Sequence, residues 1–237
     1  AGFEAAPHLS CMGTSRDTIR ELLERYKQAG IRRIVALRGD MPSGMQGPAG
    51  AFVHANQLVE FIRAETGRQF HIEVAAYPEF HPQARSARED LLNFKRKVEA
   101  GADGAITQYF FNADAYYRFV DDCEHLGLDL PIVPGIMPIM PITNYSQLAR
   151  FSDMCGAEIP RWLRKRLEGF GDDRASILAY GADVVTDMCR RLLEQGAPGL
   201  HFYTMNRAKA TEAIWKALDL GSHMRAGRQG SRVGSAS

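Results

Sequence analysis

Apolar and polar residues along this chain follow two alternating periods. Short, nearly continuous β-prone runs occur at Phe3–Leu9, Arg33–Leu37, Phe70–Ala76, Gly104–Tyr109, Leu130–Ile136 and Gly199–Tyr203, and these predict strands. Between them, Ile19, Leu22, Leu23 and Tyr26 recur at i, i+3, i+4 and i+7, the spacing of one helix face, as do Tyr116, Phe119, Val120 and Cys123. Leu58, Phe61 and Ile62, then Ile214, Ala217 and Leu218, repeat the shorter form of that spacing. Thr14 or Ser15 is placed to cap the first helix, and Gly30 to end it. Ile34-Val35-Ala36-Leu37 is apolar at consecutive positions, as a strand covered on both faces must be. The alternation predicts an α/β fold with a parallel sheet.

Successive strands begin about 30 residues apart, the length of one βα unit. The last interval is longer and holds two further helical stretches, near Arg161–Leu167 and Ala175–Gln195. Six units are visible, whereas a closed (β/α)8 barrel has eight in about 250 residues. A doubly wound sheet could use six, yet no Gly-x-Gly-x-x-Gly follows any strand. Periodicity leaves barrel and open sheet both standing. Gly221-Ser222-His223-Met224 reads as the residues an expression vector leaves after tag removal. The stretch that follows, to Ser237, is rich in Gly, Ser and Arg, so 221–237 is expected to be a flexible tail and 1–220 the folded domain. Such a scar after the last helix suggests a rearranged residue order, with a native start near Met224.

Composition narrows the classes. Twenty-nine basic and 28 acidic residues give a net charge of +1, so no field of one sign would recruit nucleic acid or a membrane surface. No apolar run approaches the roughly 18 residues of a spanning helix. Cys11, Cys123, Cys155 and Cys189 lie far apart without a Cys-x-x-Cys pair, which fits free thiols and a cytoplasmic location. His8 and Cys11 stand three apart, but with no second pair no metal site is expected.

In parallel α/β proteins, ligands gather at the C-terminal ends of the strands. There the sequence carries Pro7-His8, Arg38-Gly39-Asp40, Tyr77-Pro78-Glu79 with His81, Gln108, Pro134-Gly135-Ile136, and Thr204-Met205-Asn206-Arg207. Polar groups at six successive strand ends read as an active-site rim. On the helix expected over 85–100, Leu91, Phe94 and Val98 form the apolar stripe, while Asp90, Asn93, Arg96 and Lys97 share the opposite arc. That arc is a solvated face or the grip on a phosphate-bearing, hydroxyl-rich cofactor. With no nucleophile triad, paired carboxylates or phosphate loop recognisable, the chemistry belongs to a cofactor.

Seven runs, in order, resemble bacterial-type methylenetetrahydrofolate reductases. They are Glu4-Ala5-Ala6-Pro7-His8-Leu9, Ala36-Leu37-Arg38-Gly39-Asp40, the stretch from Ala75 to Pro82, the stretch from Asp90 to Lys97, that from Ala105 to Phe111, Pro134-Gly135-Ile136-Met137-Pro138, and that from His201 to Arg207. The resemblance covers residues 1 to about 220. It implies a TIM-type (β/α)8 barrel with bound FAD that takes hydride from NADH or NADPH and reduces 5,10-methylenetetrahydrofolate to 5-methyltetrahydrofolate. His8, Arg38, Gly39, Asp40, Ala55, Tyr77, His81, Ala84, Asp90, Asn93, Arg96 and Lys97 match the family's FAD contacts. Gln108, Gln147 and Arg207 match its folate contacts, and Phe151 the aromatic that stacks on folate or nicotinamide. In this reading Arg96 and Lys97 neutralise the pyrophosphate, Asp90 and Asn93 hold hydroxyls, and Asp40 acts electrostatically in catalysis. Arg207 pairs with the glutamyl tail of folate. A homo-oligomer is compatible with the family.

Residues around Ile139-Met140-Pro141-Ile142 lengthen the loop before Asn144, and no segment matches the family's first two βα units, with their general-acid glutamate. Two alternatives follow: another flavin-dependent barrel oxidoreductase, such as one acting on proline, or an FAD-binding fragment or permuted chain without full turnover.

Overall fold

In a computed structural model, which describes residues 3–39, 50–139 and 145–220, six strands form one sheet in chain order. They are β1 (His8–Ser10), β2 (Arg33–Leu37), β3 (His71–Ala76), β4 (Gly104–Tyr109), β5 (Ile132–Ile136) and β6 (His201–Phe202). The helices are α1 (Arg16–Gln28), α2 (Ala55–Thr66), α3 (Ala87–Glu99), α4 (Ala113–His125), α5 (Tyr145–Cys155), α6 (Arg161–Gly169), α7 (Arg174–Glu194) and α8 (Ala208–Ala217). Parallel ladders join β1 to β2, β2 to β3, β3 to β4 and β5 to β6. Strands in sequence order with a helix after each are the α/β architecture the hydrophobic periods predict.

Two compact units are distinguished: residues 1–108 with 117–133, and 109–116 with the chain from Pro134 onward. In the first, the choice between Thr14 and Ser15 falls to Ser15, whose Oγ accepts the Thr18 N–H at 3.1 Å. Gly30, at φ +71, stops α1 as its N–H turns back to the Lys27 carbonyl. Ile34, Val35 and Ala36 on β2 and Ile72, Val74 and Ala76 on β3 are buried, as are Leu58, Val59, Phe61 and Ile62 of α2, which packs on β2, and Ile19 and Leu23 of α1. The first strand is shorter than the apolar pattern predicts. It begins at His8, leaving Phe3 90% exposed, because Pro7 has no N–H to offer a ladder. Its C-terminal end is therefore Ser10, and Pro7-His8 stands at its start.

Near the N-terminal ends of β3 and β4 two polar devices hold the layers. Glu73 is 8% exposed; its Oε1 accepts from Arg33 Nη1 at 3.1 Å and faces His71 Nε2 at 2.9 Å. Its other oxygen lies against Gly104, where a Cβ would approach to 2.6 Å, so the register Glu73↔Gly104 needs a residue without a side chain. Arg63, in the last turn of α2, uses its whole fork. Nη1 donates to the Gly67 and Phe70 carbonyls, Nε and Nη2 to the Gly101 carbonyl, and Nη2 also to Asp103. Asp103 Oδ2 in turn accepts the Ile72 N–H at 2.8 Å. One guanidinium thus ties α2 to the entries of β3 and β4.

In the second unit, Asp173 caps α7 by accepting the Ala175 and Ser176 N–H groups. Gly181 lets that helix meet Ile139, whose Cβ would stand 2.6 Å from an added methyl. Leu163, Leu167, Val185, Cys189 and Leu192 are buried, and the Tyr203 N–H continues the β5–β6 pairing to the Ile136 carbonyl at 2.8 Å. The helix α5 was not foreseen from the sequence, because one of the two buried positions among its described side chains is the polar Ser152. The sequence-based expectation of a flexible tail at 221–237 lies outside the described residues.

Arg63→Met is expected to cost roughly 2–4 kcal/mol, since it orphans three carbonyls and a partly buried carboxylate. Chemical denaturation should show a lower midpoint at unchanged slope; a loss under about 1 kcal/mol would show that water replaces the fork. Burial alone would push the Asp103 carboxyl up, but the Ile72 N–H and the Arg63 guanidinium outweigh it and hold it low. Its contribution is therefore present above the ordinary carboxylate range, near pH 4, and fades as pH falls below that.

Candidate functional site

A cavity of about 670 Å³ opens at the C-terminal ends of β2 and β3, wholly within the first unit. Each wall follows from local structure. Arg38 and Gly39 continue β2. Tyr77, His81 and Ala84 lie in the turn leaving β3, where Phe80 takes a left-handed φ of +76. Ala55 and Asn56 form the first turn of α2, which carries no acidic side chain; Gln57 Oε1 folds back to accept the Val53 and His54 N–H groups. The remaining wall is the polar arc of α3: Glu89, Asp90, Asn93, Arg96 and Lys97.

The helix α3 is set by Ser86, whose Oγ accepts the Glu89 N–H at 3.1 Å, and by Phe94, which is 2% exposed and packs on Phe119 of α4 at 5.2 Å between rings. With Phe94 turned inward, Asp90 and Lys97 sit two turns apart along the cavity wall. Asp90 Oδ2 accepts the His81 N–H at 2.9 Å, and Lys97 Nζ donates to the Ala75 carbonyl at 2.5 Å. Arg96 reaches Asn93 Oδ1 at 2.6 Å. Burial pushes Lys97 down to about 8, against the opposing pull of Asp90. Burial also pushes the Asp90 carboxyl up, against the His81 N–H and the Lys97 charge. Both groups move toward neutrality, so desolvation outweighs their mutual attraction, and the wall would gain from a polyanion with hydroxyls.

Gly39 has φ +85, and a Cβ there would fall 2.0 Å from Ser10 Oγ, which itself donates to the Arg38 carbonyl. The backbone at the cavity floor is thus bare by necessity. His81 meets Tyr77 edge-on, with ring centroids 4.6 Å apart.

Ten of the twelve positions matched to FAD contacts line this cavity: Arg38, Gly39, Ala55, Tyr77, His81, Ala84, Asp90, Asn93, Arg96 and Lys97. His8 does not; it is exposed at the start of β1. Asp40 lies outside the described residues. Cys11, weighed with His8 as a metal pair, is buried and its thiol donates to the Arg38 carbonyl. The cavity also takes in His54, Asn56, Gln83, Arg85 and Glu89, which the sequence reading did not single out. Residues 83, 85 and 89 had a signal, since they flank the Ser86 cap; His54 and Asn56 had none.

The folate-matched positions are spread. Gln108 is half-buried on β4. Arg207 is exposed just before α8, after a turn whose Met205 and Asn206 both take left-handed φ, closed by the Arg207 N–H to the Thr204 carbonyl at 2.8 Å. Gln147 and Phe151 fall on α5, one turn apart.

Among the described residues, no helix is long and apolar enough to cross a membrane. Residues 1–219 match the family model for methylenetetrahydrofolate reductase. The chain is 44% identical over 217 residues to 5,10-methylenetetrahydrofolate reductase of Escherichia coli (strain K12), covering 92% of this chain and 71% of that protein. The Salmonella typhimurium protein of the same name is 45% identical over the same coverage. A Caenorhabditis elegans protein named as a probable methylenetetrahydrofolate reductase (NADPH) is 40% identical over 220 residues, 92% of this chain but 33% of that one. With the match running through both units, the chain belongs to the methylenetetrahydrofolate reductase family.

Proposed function

We propose that this chain reduces 5,10-methylenetetrahydrofolate to 5-methyltetrahydrofolate with NADH or NADPH as electron source and FAD held in the cavity on β2 and β3. The observation that carries the reading is the polar arc of α3, two cations, a carboxylate and an amide lining one cavity with the bare backbone at Gly39. The donor set fits the group. Arg96 and Lys97 suit a pyrophosphate, Asp90 and Asn93 suit ribityl or ribose hydroxyls, and the Ala55 and Asn56 end of α2 carries the positive end of a helix dipole. Family membership makes the closure of the sheet into an eight-unit barrel our working architecture.

When bound, the flavin supplies a two-electron relay between nicotinamide and folate. Overall, the nicotinamide gives up a hydride, the methylene carbon gains one, and a proton is taken up at the folate nitrogen whose C–N bond opens. Asp40, next to Gly39, would favour cationic character on the folate as that bond opens. Gln108 and Gln147 would bind the pterin side of the substrate, Phe151 would stack on a flat ring, and Arg207 would pair with the anionic tail. A flavin barrel acting on another substrate has no use for that second set.

Two outcomes test the reading. First, the purified chain loaded with FAD and supplied with NADH under anaerobic conditions is expected to reduce the flavin, read by its absorbance, and to convert methylenetetrahydrofolate to 5-methyltetrahydrofolate only once the family's first two βα units, with their general-acid glutamate, are supplied in trans. A flavin that NADH does not reduce, or a folate left unchanged with those units present, would favour the alternative substrate.

Second, FAD affinity should depend on pH through Lys97. Burial holds the amine near 8, and a pyrophosphate would raise it, so binding takes up a proton. Affinity is then full below about pH 8 and falls as pH rises through it. In Lys97→Arg, whose guanidinium stays charged, that decline should vanish. An identical pH profile in the variant, by equilibrium dialysis, would take Lys97 out of cofactor binding.

A further inference from the structure

Two helices carry charge of the sign that their own ends disfavour. A helix N-terminus is the positive end of its dipole and a C-terminus the negative end. Yet the first turn of α6 has no acidic residue, and Arg161 and Arg164 stand on it, both exposed. Toward the C-terminus of α4 the converse holds, with Asp121, Asp122 and Glu124 all exposed. Other charges of these helices are committed. Lys165 pairs with Glu168 at 3.2 Å, Arg166 lies over the Phe170 and Tyr180 rings, and Asp114 meets Arg191 at 3.3 Å. Among the described residues, Arg161, Arg164, Asp121, Asp122 and Glu124 form no ion pair. The acidic field reaches into α4 itself: burial first, then Asp122 and Glu124, push the Cys123 thiol up to about 12.

Beside the two arginines stands Trp162, 53% exposed, while Leu163 and Leu167 are buried. Arginine next to a large aromatic is the composition of an interface hot spot. A lipid surface would need a free apolar face, and with both leucines buried α6 offers it one ring. A nucleic acid would need many cations, whereas two unpaired arginines stand here in a chain of net charge +1. An acidic protein face answers both the charge and the size of the patch. The chain carries such a face itself, on α4.

We propose that α6 of one copy of this chain docks on the C-terminal end of α4 of a second copy, with Trp162 as the buried anchor. Arg161 and Arg164 then meet Asp121, Asp122 and Glu124, and each helix end offsets the charge that the other end cannot tolerate. The contact joins unlike faces, so every copy presents both halves of it. A face of one sign alone would repel its own copy. Two faces of opposite sign make the chain complementary to itself.

Sedimentation velocity of the full chain with FAD reads the association. The parent is expected to self-associate at about 0.05 M salt and to loosen by about 0.5 M, as screening shortens the reach of the charges. Arg161→Glu with Arg164→Glu, and separately Asp121→Arg with Asp122→Arg, should each weaken association at least about tenfold. An equimolar mixture of those two variants should reassociate, because each contact between unlike variants is either parental or sign-swapped. Trp162→Ala should weaken association with every charge in place. Arg25→Glu with Lys27→Glu, on α1, changes the net charge as much as the arginine pair of α6 and should associate like the parent. FAD retention should be parental in the α4 and α6 variants, whose substituted positions do not line the flavin cavity, and it confirms that they are folded. A monomeric parent, an oligomer indifferent to both reversals, or variants that stay apart on mixing would overturn the proposal. A monomeric parent that pellets with phosphatidylserine vesicles would overturn it in favour of a lipid-binding face.

Discussion

The attachment of α3 to the end of β3 governs everything else at the cofactor cavity. Phe94 commits one face of the helix to the apolar layer, and two side chains flanking it complete the attachment, Lys97 on the Ala75 carbonyl with its ammonium 5.6 Å from the Phe94 ring centroid, and Asp90 under the His81 N–H. These contacts hold a lysine and a carboxylate where burial costs both of them their charge. A fold optimised only for stability would not place them there. Their expense is consistent with a wall built for a charged, hydroxylated ligand, whose charges would favour the ionised forms.

Stability is supplied at the opposite ends of the same strands. Arg63 saturates its guanidinium on carbonyls from three turns and on Asp103, and Glu73 occupies the space that Gly104 leaves. Most polar groups at that end pair with each other, the buried Glu73 Oε2 excepted, while those at the C-terminal ends of β2 and β3 line the cavity. This division is familiar in parallel α/β proteins, where strand entries carry stability and strand exits carry chemistry.

Much of this was readable before any coordinates. The strand at Arg33–Leu37 was bounded correctly because its apolar run lies between Arg32-Arg33 and Arg38-Gly39, and the start of the strand at Gly104 was marked by Asp103. The first strand was over-extended because its β-prone run was read straight through Pro7, whose missing N–H cannot join a ladder. The helix α5 was missed because its buried stripe contains a hydroxyl, and polarity conceals helical period. At the site, periodicity identified the arc of α3 but left it open whether that arc meets water or a cavity; that depends on tertiary packing. His54 and Asn56 enter the cavity wall only because α2 starts there, which no local signal announces.

The central claim is that FAD occupies the cavity of the first unit, against α3. Amine-selective labelling followed by mass spectrometry tests it most directly, with Lys97 as the reporter and Lys95, ion-paired to Glu99 at 3.7 Å, as the control on the same helix. At pH near 8, where part of the Lys97 amine is neutral, its labelling in the flavin-free chain should exceed that in the FAD-bound chain, where the cofactor would cover and charge it. Lys95 should label equally in both states. Equal labelling of Lys97 with and without a stoichiometric, spectroscopically verified flavin would place the cofactor elsewhere and contradict the account.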